Sequence, residues 1–245
     1  MATFVLVHPA WFGGWCWQKL VPLLGDAGGE VCTPTLTGLG DRIHLATPEV
    51  GLATHIEDVV QTMTYADLTD VILVGNSSGG MVITGVADRV PERIANVVYL
   101  DAFVPHAGQS VVDMLPPERR AAFDAMVAAE GDGWLLPRFA PPPWDQIVPG
   151  LFGVDDTADV EWILARLVPT PYKHFTDPLW LQRADDDSPP RTYIRCARFP
   201  HAGFDRLAHE AQASAAWTLI EMDSGHLPYV SAPDQLSKVL LALAP

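Results

Sequence analysis

The chain has 245 residues, of which 49% are hydrophobic and 18% charged, enough for one large domain or two small ones around a sizeable core. A net charge of −15 argues against nucleic acid or an anionic membrane surface as partner, because both require basic patches. The acidic residues are scattered apart from a short run at Asp185 to Asp187, and no apolar run approaches the roughly 20 residues of a membrane span.

The N-terminus enters TFVLV without the basic start and long apolar core of a signal peptide, so a cytoplasmic location is expected. Phe4 to Val7 reads as the first strand, followed by a helix over Trp15 to Asp26 and a strand at Glu30 to Thr33. A helix over Leu52 to Tyr65 precedes a strand at Val71 to Val74, a helix at Gly79 to Val90 and a strand at Val97 to Leu100. The strands starting at Phe4, Val71 and Val97 are continuously apolar, as strands buried on both faces should be. From about Phe103 to Ser188 the rhythm breaks. Pro, Trp and Asp dominate, Pro141 to Pro143 run straight into Trp144, and no core strand is legible. Alternation then resumes with strands at Thr192 to Cys196 and Thr218 to Glu221 and helices at Phe204 to Ala215 and Pro233 to Leu243. Such alternation predicts a mostly parallel sheet with helices on both faces. The expected organisation is a core of residues 1–102 and 189–245 with residues 103–188 inserted as a cap over a pocket, because large inserts in such sheets gather at the strand C-terminal ends. Cys16, Cys32 and Cys196 are odd in number and lack metal-ligand spacing, so they are expected as buried thiols in a reducing compartment.

The stretch VILVGNSSGGMVITGVA, Val71 to Ala87, carries the chemistry. Gly75 and Gly79 flank Ser77 at two residues either side, giving G-x-S-x-G, whereas the pattern centred on Ser78 fails at Asn76. A strand, this motif and a helix make the strained turn that exposes a nucleophilic serine. A serine hydroxyl needs a base to take its proton. Of eight histidines, His226 is best placed, after the last strand and before the final helix, with Gly225 permitting a sharp turn. His44, His55, His174, His201 and His209 read as solvated or structural, and His106 follows a strand end.

The segments VLVHPAWFGGWCWQKLVPLL, LTGLGDR, LVGNSSGG, VVYLDAFVP and DSGHLPYVSAPDQL resemble the α/β-hydrolase superfamily, above all small bacterial esterase-like members related to plant methyl-salicylate esterases and hydroxynitrile lyases. The resemblance runs from Phe4 to Leu243 and is weakest in the insert. It implies a six-stranded, mostly parallel α/β-hydrolase sheet with a helical cap after the fourth strand, and a Ser–acid–His triad with Ser77 as nucleophile and His226 as base. It also implies an oxyanion hole from the backbone N–H groups of Ser78 and Ala10, with Ser78 acting through its backbone rather than its hydroxyl, and with His8 as a buried hydrogen-bonding residue. The acid departs from the pattern. Where relatives commonly place Asp, this chain has Phe199 and Pro200. Asp101 and Asp205 remain, and Asp101, at the end of the strand after the nucleophile helix, keeps the order Ser, acid, His.

The expected activity is hydrolysis of a small, largely apolar carboxylic ester through an acyl-enzyme, with no metal or cofactor required. Trp11, Phe12, Phe103, Trp134, Trp144, Phe175 and Leu227 are the expected substrate contacts. Two alternatives stand beside it. One is a hydroxynitrile-lyase-like C–C cleavage aided by Lys173, and the other is a weakly hydrolytic biosynthetic enzyme or ligand-binding protein on the same fold. The partner is a small molecule, and the oligomeric state is open, a homodimer included.

Overall fold

The computed structural model describes residues 2–138, 144–183 and 188–244. Both Pro141 to Pro143 and the acid run Asp185 to Asp187 lie outside the described residues. Six strands, β1 (Thr3–Val7), β2 (Glu30–Cys32), β3 (Val71–Ser77), β4 (Ile94–Ala102), β7 (Arg191–Cys196) and β8 (Trp217–Met222), form one sheet in the order β2-β1-β3-β4-β7-β8. Every pairing in it is parallel, and all six expected strands are present. Two further short strands, β5 (Leu135–Leu136) and β6 (Thr170–Pro171), pair antiparallel as a separate ribbon.

Alternation along each strand sends successive side chains to opposite faces. Val5, Val7 and Leu73 join one apolar layer, under α2 (Leu52–Tyr65), α3 (Gly79–Arg89) and α9 (Ala202–Ala213). Phe4, Leu6, Ile72 and Val74 join the other, under α1 (Leu20–Asp26) and α11 (Pro233–Leu241). The helix expected over Trp15 to Asp26 is two pieces, a 3₁₀ turn over Gly14–Trp17 and then α1.

Between β4 and β7 the chain leaves the sheet and forms α4 (Val111–Met114), α5 (Pro117–Glu130), α6 (Trp144–Gly150), α7 (Thr157–Leu164) and α8 (Lys173–Thr176). After β8 a short α10 (Pro228–Ser231) precedes α11. The strand order reverses around β1, which neighbours both β2 and β3, so the loops after β1 and β3 splay apart at the crevice where ligands bind in open parallel sheets.

The turn from β3 into α3 is a close approach of backbones. A Cβ on Gly75 would stand 2.7 Å from the carbonyl oxygen of Gly79, one on Gly79 would stand 2.9 Å from that of Val7, and one on Gly80 would collide with the carbonyl oxygen of Phe103. Gly25, in α1, has nothing within 4 Å of the same construction. Gly80→Ala is therefore expected to lower unfolding free energy by about 2–3 kcal/mol through overpacking. Gly25→Ala should raise it by about 0.5–1 kcal/mol through helix propensity. Urea melts of the two variants check the pair, and equal effects would contradict the reading.

Candidate active site

Ser77 ends β3 with φ 54°, a left-handed conformation that costs a non-glycine residue roughly 1–3 kcal/mol and persists only where the surroundings over-determine it. Asp101, on the neighbouring strand, is also left-handed, with φ 47°. The register explains why. Asn76 pairs with Leu100 but Ser77 pairs with Ala102, so Asp101 is an extra residue in β4. A bulge of this kind re-aims a side chain out of strand alternation.

The re-aimed carboxylate is 0% exposed and has all its partners on the protein. Its Oδ2 lies 2.6 Å from Nδ1 of His226. Its Oδ1 accepts from the backbone N–H of Cys196 at 3.1 Å and from Nη1 of Arg195 at 2.7 Å. Asp205 does not join His226. Its Oδ1 accepts from Nε and Nη2 of Arg195 at 2.9 and 2.7 Å. Arg195 completes its set on the carbonyls of Phe199, at 2.6 Å, and Cys196. Both aspartates thus converge on one buried guanidinium, and only Asp101 reaches the imidazole. Arg195 had no signal as a site residue, because it sits inside β7 in a segment that reads as core.

His226 follows β8 in a loop pressed against residues 152–153. Gly225, in that loop, is not among the glycines with positive φ. A side chain there would collide with the carbonyl oxygen of Phe152. The imidazole stacks on Phe199, with ring centroids 4.2 Å apart and an interplanar angle of 28°, and Phe152 stands 5.1 Å from it. Where the resemblance led to the expectation of an acid, this chain has a ring that packs the histidine. Asn76 donates from Nδ2 to the carbonyls of Leu100, at 2.8 Å, and His226, at 3.3 Å, tying β3, β4 and this loop together. Tyr229 donates its hydroxyl to Asn76 Oδ1 at 3.2 Å.

Ser77, Ser78 and His226 open on one cavity of about 240 Å³. Of the expected contacts, Trp11, Phe103 and Phe175 line it. Phe12, Trp134, Trp144 and Leu227 do not. Phe12 is 1% exposed on the opposite face, stacked on Trp15 at 5.4 Å. Trp11 before it has φ 67°, and the reversal sends the two neighbouring side chains to different sides. Trp144 packs behind Trp11 at 5.4 Å, and Leu227 is fully buried in the layer of α1 and α11. Trp134 is half-buried and joins the β5–β6 ribbon, where its carbonyl accepts from the N–H of Tyr172. Contacts that the sequence did not indicate include Leu115, Arg119 and Phe123 from the α4–α5 stretch, Ile147, Leu151 and Phe152 around α6, and Phe199, His201 and Phe204 after β7. His106 and Lys173 are exposed and are not among the lining residues.

His201 was expected to be solvated or structural, yet it lines the cavity. Its Nδ1 accepts from the N–H of Phe204 at 3.2 Å, which leaves its proton on Nε2, and burial lowers its pKa. The other buried histidines hold the walls. His8 donates from Nδ1 to the carbonyl of Pro9 and accepts on Nε2 from the N–H of Leu36 at 3.0 Å. His55 gives Nε2–H to the carbonyl of Thr37 at 2.9 Å, so its Nδ1 accepts from Nδ1–H of His174 at 2.8 Å. That pair ties α2 to α8, the element that carries Phe175. In the oxyanion region the N–H of Ala10 donates to the hydroxyl of Ser78 at 2.9 Å. Among the described residues no group of three or more His, Cys, Asp or Glu could hold a metal ion, and no helix is long and apolar enough to cross a membrane. All three cysteines are free, Cys16 and Cys196 buried and Cys32 partly so.

The Arg195 cluster and the buried histidines each make a stability prediction. Arg195→Met should cost about 3–5 kcal/mol, because it strands the buried Asp101 charge, whereas Asp205→Asn, at a half-exposed side chain, should cost under about 1 kcal/mol. Chemical denaturation of both variants checks the order.

Burial lowers the pKa of His8 and His55 to about 4 and that of His174 well below its ordinary value. As pH falls below the unfolded value of about 6.5, the unfolded chain takes up protons that the folded one refuses. Stability present above that pH should therefore be lost toward pH 4, by about 1.4 kcal/mol per pH unit for each histidine. Urea melts between pH 7.5 and 5.5 should show the fall, and a flat profile would contradict it.

The whole chain can be set against known proteins. The model of a family described as "Alpha/beta hydrolase family" matches residues 4–239. A carbendazim hydrolyzing esterase of Nocardioides sp. (strain SG-4G) is 40% identical, covering 99% of this chain and 100% of that protein. Methylesterase 1 of Arabidopsis thaliana is 28% identical, covering 98% and 95%. An extracellular alpha/beta-hydrolase from a Paenibacillus species, described as sharing structural and functional homology with tobacco salicylic acid binding protein 2, superposes with a TM-score of 0.86. It is 25% identical and the match covers 100% of this chain and 99% of that one.

Proposed function

The chain belongs to the alpha/beta hydrolase family, and we propose that it is a serine esterase that cleaves a small, largely apolar carboxylic ester through Ser77, His226 and Asp101. The observation that carries this reading is the 2.6 Å contact between the buried Asp101 carboxylate and His226, whose imidazole shares an apolar cavity with Ser77. Asp101 accepts Nδ1–H and so leaves Nε2 as the basic nitrogen on the serine side. Nε2 takes the Ser77 proton as Oγ bonds to the ester carbonyl carbon and the C=O electron pair moves onto oxygen. Collapse breaks the bond to the alcohol oxygen, which leaves with the proton held by His226. Water repeats the sequence, releasing the acid and restoring Ser77. The backbone N–H of Ser78 flanks the developing oxyanion, whereas the Ala10 N–H expected beside it is donated to the Ser78 hydroxyl.

The cavity and the relatives of this chain support the substrate class. Its relatives are named as methylesterases and as a carbendazim hydrolyzing esterase. A cavity of about 150 Å³ lined by Leu, Ile and Phe holds benzene, so 240 Å³ walled by Trp11, Phe103, Phe123 and Phe175 suits an aromatic acyl group on a short alcohol. Residues 103–188 then act as the cap, since Leu115 just after α4 and residues of α5, α6 and α8 contribute to that wall. Lys173, the cation invoked for the lyase alternative, is exposed on α8 and does not line the cavity.

A panel of methyl, aryl and p-nitrophenyl esters tests the activity, with Ser77 labelling by a fluorophosphonate as the independent readout. Ser77→Ala and His226→Ala should each abolish turnover, and the double mutant should be little worse. Asp101→Asn should lower kcat by roughly 10⁴-fold through the wrong imidazole tautomer. Ligand binding without labelling or turnover would replace this reading with a binding protein.

A further inference from the structure

We propose that the hydroxyl of Ser78 is itself an oxyanion donor, with the N–H of Ala10 acting behind it rather than directly. The inference deepens the esterase reading and rests on it. Ser78 is 2% exposed, lines the cavity beside Ser77 and stands at the N-terminus of α3. Its Oγ accepts the Ala10 N–H at 2.9 Å. Nothing among the described residues accepts the hydroxyl proton. Buried donors are normally paired, so an unspent one beside the nucleophile is matched to an acceptor that arrives with the substrate.

The chemistry fits the step that needs it. As Ser77 Oγ bonds to the carbonyl carbon, the C=O pair becomes a full negative charge on oxygen. Two donors of one residue, the Ser78 N–H and the Ser78 O–H, face that charge. The Ala10 N–H polarises the hydroxyl from the far side, and hydrogen bonds in such a chain strengthen one another. No proton is transferred from Ser78, and its bond to the oxyanion tightens only as charge develops. The hydroxyl is therefore expected to act on kcat rather than on substrate binding. The residue after the serine is thus a catalytic donor through its side chain, not only through its backbone.

Ser78→Ala removes the donor and frees the Ala10 N–H, while Ser78→Cys keeps the size and supplies only a weak donor. Each variant is compared with wild type on p-nitrophenyl acetate, with a trifluoromethyl ketone that forms the tetrahedral oxyanion, and with acetate as product ligand. Both variants should lose at least about tenfold in kcat, toward the 10²-fold typical of a lost oxyanion donor. The Ki of the trifluoromethyl ketone should rise by the same factor, with KM and the acetate Ki within about twofold. Thermal melts and full fluorophosphonate labelling of Ser77 establish that the variants are folded. Turnover equal to or above wild type in Ser78→Ala would overturn the proposal, because the hydroxyl would then merely plug the Ala10 N–H. Near-normal Ser78→Cys beside a slow Ser78→Ala would also overturn it, by reducing the role to packing. A wild-type protein that neither hydrolyses the ester nor is labelled ends the esterase reading and this one together.

Discussion

One extra residue in β4 decides the geometry of the site. The bulge opposite Ser77 puts Asp101 in a left-handed conformation and turns a carboxylate into a layer that has no water to solvate it. A buried charge of this kind is tolerable only if it is paired and hydrogen-bonded. The rest of the site follows from meeting that demand. Cys196 N–H and Arg195 take one oxygen, and His226 takes the other. Arg195, being buried too, needs its own acceptors and finds Asp205 and the carbonyls of Phe199 and Cys196. The imidazole is therefore held from β4, with β7 behind it, and Phe199 is left free to pack its face. Strain at Ser77 and at Asp101 sits side by side at the same two strand ends, which is where surrounding structure over-determines it best.

The cavity wall depends on a second set of buried polar contacts, away from the chemistry. Trp11 gives its backbone N–H to Thr170 and its indole N–H to the carbonyl of Pro137, so the loop after β1 is tied to the β5–β6 ribbon. The neutral pair His55 and His174 fastens α8 to α2, and Phe175 follows in sequence. Both ties cross from the sheet layers to the excursion between β4 and β7. Aromatic rings then close the contact, with Trp11 5.5 Å from Phe175 and Phe123 5.6 Å from Phe175. Apolar rings set the shape, while polar anchors outside the cavity set where those rings stand.

Much of the sheet was legible because buried parallel strands must be apolar on both faces, and the runs at Phe4, Val71 and Val97 are. Ser77 was legible because only one frame of the GNSSGG string has glycines where backbones touch. His226 was legible from its place after the last strand. The contacts were harder. A loop carries no period, so nothing in the sequence tells that Phe12 turns away while Trp11 faces inward. The reversal comes from the φ of 67° at Trp11, a property of the folded loop. Leu227 and Trp144 are apolar residues of the right kind one layer too deep. Gly225 was read as a turn residue, although the constraint there is the carbonyl of Phe152, more than 70 positions away in the chain. Arg195 left no trace at all, since an arginine inside a strand says nothing of its acceptors until the fold brings them together.

The departure at Phe199 and Pro200 illustrates what pairing with His226 requires. A carboxylate there must reach one atom, Nδ1, and must find partners for its own buried oxygens. Neither condition names a strand. The ends of β4 and β7 are neighbours in the sheet, so a carboxylate from either can approach the same ring. What differs is the support that each position needs. At the end of β4 the carboxylate lies deep, and a guanidinium from β7 with its own partner on α9 makes that depth affordable. Asp101, Arg195 and Asp205 are thus one unit, in which the two aspartates weighed from the sequence as rivals hold opposite ends of the same cation. The vacated position can then hold an aromatic ring, which adds apolar surface beside the histidine where a charge would have drawn water. An apolar cavity reaching up to His226 is the consequence.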